Sequence, residues 1–179
     1  MDKESLRSKI IEVFSAGVYP GDWCLKDSTE GTAPFLLEKA FKGKTDWRVL
    51  PSELLDRDLG GWGTALGFFS DEAFRFYLPS YLIADIDVKL ESSDVADYLA
   101  NGLAGAAKSA PINPKRYGER TWWDYKRFRF SVFNKEQCSA IAEYLRFKSD
   151  LSQFPEANKT AIEQSLENYW EPRSNGLKP

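Results

Sequence analysis

The chain contains no histidine, only two cysteines and one methionine, and no apolar run approaching the ~18 residues of a membrane-spanning helix. Without imidazole, no mechanism can use it as base, nucleophile or metal ligand. Cys24 and Cys138 are too few for a disulfide framework or a thiolate zinc site, and they are expected to be buried reduced thiols. The first apolar stretch, Ile10-Ile11-Glu12-Val13-Phe14, is broken by Glu12, so it does not read as a secretory h-region. The expected location is the cytoplasm. Neither sign of charge dominates: 24 Lys and Arg against 27 Asp and Glu leave a net charge of -3. That balance provides no overall attraction to nucleic acid or to an anionic membrane.

Aromatic residues are abundant. Twelve Phe, eight Tyr and six Trp make 15% of 179 residues, and apolar residues make 42%, enough to fill a core without metal or disulfide. The reading is a mainly α fold: one globular domain over residues 1–172 and a frayed tail over 173–179. It has about six helices, long irregular connections and a small β element near 122–133.

Spacing sets the helices. Leu6, Ile10, Val13 and Phe14 form one stripe of a helix over 3–16. Residues 18–31 read as a loop around Trp23. Thr32 and Pro34 open a second helix, and Gly43 stands where a left-handed stop belongs. Pro51 starts a short turn, and Gly60-Gly61-Trp62-Gly63 is a loop. Ser70, followed by Asp71 and Glu72, caps a helix that Pro79 must kink or restart. Another runs from Ser92 or Ser93 to Gly102, and 102–121 is a long connection. In 122–133, Tyr125, Arg127, Arg129 and Ser131 alternate with Lys126, Phe128, Phe130 and Val132, which suggests a strand. Asn134 with Gln137 predicts a capping box. The last helix starts at Pro155 and ends before Pro172.

The motifs of common enzyme classes are incomplete. Gly43-Lys44-Thr45 ends like a phosphate-binding loop, but the first glycine would fall on Glu38 and a helix precedes it. Asp85-Asp87 and Asp56-Asp58 are two residues apart and diverge on a helix, so they read as solvated charges; no metal and no cofactor is expected. Asp85 lies among Tyr81, Leu82, Ile83, Ala84 and Ile86, where apolar neighbours could raise a carboxyl pKa. The polar face of a helix explains it as well.

Two charge clusters remain. Residues 85–97 hold Asp85, Asp87, Glu91, Asp94 and Asp97 against Lys89. Residues 114–130 hold Lys115, Arg116, Arg120, Lys126, Arg127 and Arg129 against Glu119 and Asp124, with Trp122 and Trp123 among the interleaved rings. Such a stretch could stack on single-stranded nucleic acid. Internal or partner-facing roles are preferred, because the chain as a whole is acidic.

Three blocks in order carry a resemblance. They are Trp47-Arg48 with Leu50 and Leu54, the run Leu66-Gly67-Phe68-Phe69-Ser70 through Phe76-Tyr77-Leu78-Pro79-Ser80-Tyr81-Leu82, and Phe130-Ser131-Val132-Phe133-Asn134 with Gln137, Tyr144 and Leu145. Over residues 30–150 the chain resembles an uncharacterised family of small bacterial proteins, a domain of unknown function. The resemblance implies a bacterial cytoplasmic protein and transfers no catalytic residue.

The functional expectation is a non-enzymatic module that binds another protein, such as an immunity or antitoxin-like protein acting on a cognate toxin. Its first candidate surface is Asp85, Asp87, Glu91, Asp94 and Asp97, without membrane or nucleic acid as partner. The alternatives are a carboxylate enzyme, with or without Mg²⁺, around Trp47, Trp62 and Asp85, and nucleic-acid binding through 115–130.

Overall fold

The computed structural model describes residues 2–57, 59, 65–151 and 156–179, which fall into two compact units, Asp2–Val95 and Ala96–Pro179. Asp2 opens the first unit as an N-cap, its carboxylate accepting from the Ser5 N–H at 3.0 Å and the Ser5 hydroxyl at 2.7 Å. Helix α1 (Lys3–Phe14) then buries Leu6, Ile10 and Phe14 at helical spacing. Helix α2 (Ala33–Phe41) follows Thr32 with Pro34 in its first turn, and Gly43 stops it at φ 72°. A short α3 (Ser52–Leu55) starts at Pro51 as expected.

Helix α4 (Asp71–Ile86) is the axis of this unit, and α1 packs along it. Ser70 caps it, its hydroxyl accepting from the Ala73 N–H at 3.1 Å. The helix does not restart at Pro79, whose ring is buried inside it. Proline removes one N–H from the ladder, and eleven buried residues on α4 hold the helix across that gap. Rings from α2, from the segment before α4 and from α4 itself meet in the core: Phe41, Phe69 and Tyr77 have centroids 4.8–5.1 Å apart. Two buried hydroxyls of α4 find main-chain acceptors, Tyr77 on Lys44 O at 2.7 Å and Ser80 on Trp47 O at 2.6 Å, whereas the buried Tyr81 hydroxyl has none. The loop preceding α2 is tied to the segment preceding α4 by an antiparallel bridge, Lys26 to Phe69.

The second unit begins within α5 (Val95–Ala100). The expected long connection over 102–121 contains a tight turn at Gly105–Ser109 and a short α6 (Pro114–Tyr117) capped by Asn113, and its ends pair through Pro111 and Thr121. The β element expected near 122–133 is a helix, α7 (Trp122–Phe130). Two local facts outweigh the alternation. Thr121 and Asp124 cap each other reciprocally, and the buried residues Trp123, Lys126 and Phe130 recur at spacings of three and four.

Helix α8 (Lys135–Ser149) has the expected capping box, Gln137 N–H to Asn134 Oδ1 at 2.8 Å and Asn134 N–H to Gln137 Oε1 at 3.2 Å. Helix α9 (Glu156–Ser165) leads into a π turn over Leu166–Trp170 and directly into α10 (Glu171–Ser174). The last helical segment therefore does not end before Pro172. The proline sits in the first turn of α10, where its missing N–H costs nothing. Pro155, the expected start, lies outside the described residues, as does the Gly60–Gly63 loop. Helices α8, α9 and α10 pack together, with Trp170 buried between Phe130 at 5.0 Å and Tyr169 at 5.0 Å; its indole N–H donates to Leu99 O at 3.1 Å. The fold is mainly α, and strand-like pairing among the described residues is limited to isolated bridges.

Candidate functional site

The acidic candidates differ in burial and in partners. Asp87 is half-buried at the end of α4, where Lys3 Nζ stands at 3.0 Å, Lys89 Nζ at 3.5 Å, and the Arg7 guanidinium donates to it. Burial alone would raise this carboxyl, but hydrogen bonds and charge from Arg7 and Lys3 outweigh it and hold the pKa below the usual value. Asp85 is half-buried on α4, Glu91 and Asp94 are exposed, and Asp97 is half-buried on α5 in the second unit. Within that second unit, Asp97 exerts its attraction on Lys126.

Beside Asp87 an open cleft of about 390 Å³ is lined by Arg7, Trp47, Arg48, Ser80 and Lys89. This is the neighbourhood in which a carboxylate enzyme was the alternative. Asp87, not Asp85, lies on that wall. Its cationic neighbours keep it ionised, the opposite of what a general acid near neutral pH requires. Trp62 and Asp58 lie outside the described residues. Asp56 is occupied structurally: its carboxylate accepts N–H bonds from Glu91 at 2.8 Å, Ser92 at 2.9 Å and Ser93 at 2.9 Å. Among the described residues there is no cluster of three acids or thiols that could hold a metal.

Both cysteines are free, Cys138 buried and Cys24 half-buried. Burial pushes both thiols up; for Cys24 the nearby Glu72 adds to the effect against a hydrogen bond with Ser70. Neither environment generates thiolate.

In the basic stretch, three of the eight candidates turn inward. Trp123, Lys126 and Arg129 are buried, because α7 directs them at the core. The Lys126 ammonium donates to Tyr98 O at 2.8 Å and lies 3.8 Å from the centre of the Tyr98 ring. Desolvation, with repulsion from Arg129, lowers its pKa to about 7 against the attraction of Asp97. Lys115, Arg116, Arg120, Trp122 and Arg127 remain exposed. A second cleft, of about 460 Å³, gathers Arg120 and Arg127 with Phe128 of α7, Arg173 of α10 and Lys178. Sequence reading missed this gathering, since Arg173 was expected in a frayed tail.

It also underrated the loop between α1 and α2. Val18 and Trp23 are each 85% exposed. The loop is nonetheless well anchored. The Asp22 carboxylate accepts from the Tyr19 hydroxyl and from the Gly43 N–H at 2.7 Å, and the Tyr19 ring meets Phe76 edge-on at 5.6 Å. Burial and the Asp22 hydrogen bond push the Tyr19 pKa up to about 12, so the donor stays protonated. Gly21 has φ 95°, and a Cβ there would meet Trp23 Nε1 at 2.7 Å, so the indole lies against bare backbone. The glycine, tyrosine and aspartate flanking this tryptophan were the available signal.

Fold and site together define a mainly α protein with an anchored, tryptophan-bearing loop in one unit and a cationic cleft in the other. The chain belongs to a family of unknown function (DUF6714), whose model matches residues 32–174. The match extends past residue 150, where the resemblance of the three blocks stopped, and so includes α9 and α10. No curated protein and no solved structure matches.

Proposed function

We propose that this chain is a non-enzymatic protein-binding module, acting in the bacterial cytoplasm as an immunity or antitoxin-like protein on one basic partner such as a cognate toxin. The observation that carries the reading is the fixed presentation of Trp23 and Val18 to solvent on a loop tied by Asp22. Exposed tryptophan held in one conformation is the anchor chemistry of tight protein interfaces, because little ordering entropy is lost on docking. Charge supports the choice of partner: residues 2–95 hold 17 acidic and 11 basic side chains. Glu91 and Asp94, both exposed, are the members of the acidic set placed to speed encounter with a basic surface.

The test is co-expression of the full chain with the product of each neighbouring gene, reading growth rescue and a complex of defined stoichiometry. Trp23→Ala is expected to weaken that complex by about 2 kcal/mol or more, some thirtyfold, with the fold intact. The double charge reversal Glu91→Lys/Asp94→Lys should slow association and flatten its salt dependence. If no neighbouring product binds, or if both variants bind as the parent does, the proposal is wrong.

A further inference from the structure

We propose that the cleft of the second unit binds a small phosphate monoester carrying an aromatic ring, a ligand of the mononucleotide type. The inference is independent of the protein-binding reading, since it concerns other residues and another ligand.

Charge makes the first argument. Arg120, Arg127, Arg173 and Lys178 converge on one cleft, and the acid on its wall is Asp124. Asp124 is already committed, accepting from the Thr121 N–H at 3.1 Å and the Thr121 hydroxyl at 2.8 Å as the reciprocal cap of α7. Those bonds hold its carboxyl low, with smaller contributions from Arg127 and Arg120, which places both guanidiniums near it. Four cationic side chains face one acidic side chain and the Pro179 oxygen that Arg127 holds, so the balance still favours an anion as the complement. Guanidinium forks favour phosphate over a simple halide, because they match paired oxygens in one plane.

Arg173 makes the second argument. It is set in position by donating through Nη2 to Phe133 O at 2.6 Å, yet its buried Nε has no hydrogen-bond partner. The Phe133 bond fixes the guanidinium at the cleft wall before any ligand arrives, which lowers the ordering cost of binding an anion there. Arg127 Nη1 already donates to a Pro179 oxygen at 3.2 Å, a contact that an incoming phosphate must displace.

Ring chemistry makes the third. Phe128 is 70% exposed on the cleft wall, which makes its ring available for stacking. The volume, about 460 Å³, lies in the ordinary range for small-molecule sites. A nucleic-acid strand would need the cations to continue along a groove. Trp123, Lys126 and Arg129 are instead buried, so the stretch offers one compact station rather than a track.

The experiment is calorimetric titration of the full chain with the four ribonucleoside 5′-monophosphates, adenosine, inorganic phosphate and a 5′-phosphorylated oligothymidylate. At least one monophosphate is expected to bind about tenfold more tightly than either phosphate or adenosine alone. The exposed pair Arg120→Gln/Arg127→Gln should weaken it about tenfold or more with an unchanged melting curve. Phe128→Ser should weaken the monophosphate severalfold and leave inorganic phosphate unaffected. Three outcomes overturn the proposal: no monophosphate binding up to about 5 mM, binding indifferent to the arginine pair, or an oligonucleotide bound more tightly than every monophosphate.

Discussion

The two units treat buried polarity in opposite ways. In residues 2–95, buried polar atoms are mostly hydroxyls with main-chain acceptors, Tyr77 on Lys44 O and Ser80 on Trp47 O, while the charged groups do their structural work near the rim. Asp87 gathers Lys3 and Arg7, and Asp56 gathers three N–H groups. In residues 96–179, two cations go inside: Lys126 at 6% exposure and Arg129 at 3%. The counts diverge as well, 17 acids to 11 bases in the first unit and 10 acids to 13 bases in the second. A net charge of -3 therefore hides an acidic half and a basic half, each able to serve a different kind of ligand. The balance that disfavours nucleic acid for the whole chain does not describe the surface of either part.

The largest effect that tests this contrast is on the aromatic core of the second unit. Trp170→Ala removes a fully buried ring packed on Phe130 and Tyr169 and orphans the Leu99 carbonyl. It is expected to cost about 3–5 kcal/mol in denaturant unfolding. Should loss of this side chain cost less than about 1 kcal/mol, the second unit's core is not organised around it.

Lys126 sharpens the contrast further, because its sign is opposite to that of the acids in the first unit. With a folded pKa lowered to about 7, it is neutral in the native state and charged in the unfolded chain between pH 7 and the ordinary lysine value. The unfolded state then binds more protons, so stability rises with pH across that window and gains nothing further below it. Between pH 7 and 9 the gain is up to about 1.4 kcal/mol per pH unit. Arg129, which repels the ammonium, and Asp97, which attracts it, modulate the slope without reversing it. Lys126→Met should abolish this rise. An identical rise in the variant would assign it to other groups.

How much of this was legible in the sequence depends on which physical signal was local. Caps were readable: Ser70, Asn134 with Gln137, and the Gly43 stop stand where the letters put them, since each needs only neighbours within four residues. Helix α7 was misread because its buried residues include a lysine and an arginine, so a polar-versus-apolar pattern could not reveal the inward face. Thr121 and Asp124 were a capping signal that the alternation of rings and cations masked. The cleft was beyond reach for a different reason: it joins α7 to Arg173 and Lys178, more than forty residues away, and only packing brings them together. The same holds for Asp56, whose partners lie 35 to 37 residues on.

Asp56 supplies the next smaller effect. Asp56→Ala leaves three backbone N–H groups without their acceptor, two of them on exposed residues where water can substitute. The expected loss is about 1–2 kcal/mol. Desolvation opposes ionisation of this carboxyl, but the N–H bonds prevail and its folded pKa is depressed. Its contribution is therefore present above the unfolded value and lost as pH falls through the folded one. The variant should be less sensitive to acid than the parent. Parallel acid-unfolding curves would show that the carboxylate does not tie the 91–93 segment.

The smallest effect on stability falls at the most exposed tryptophan. At 85% exposure Trp23 has little area to lose on truncation, and Tyr19, Asp22 and Gly43 hold the loop without it. Trp23→Ala is expected to change unfolding free energy by less than about 0.5 kcal/mol. A ring contributing almost nothing to the fold, on a loop held by a left-handed glycine and a half-buried tyrosine, has its energetic use elsewhere, on whatever covers it. A loss near 2 kcal/mol in the isolated protein would mean that the indole braces its own loop, and the asymmetry between the two units would then be one of packing rather than of presentation.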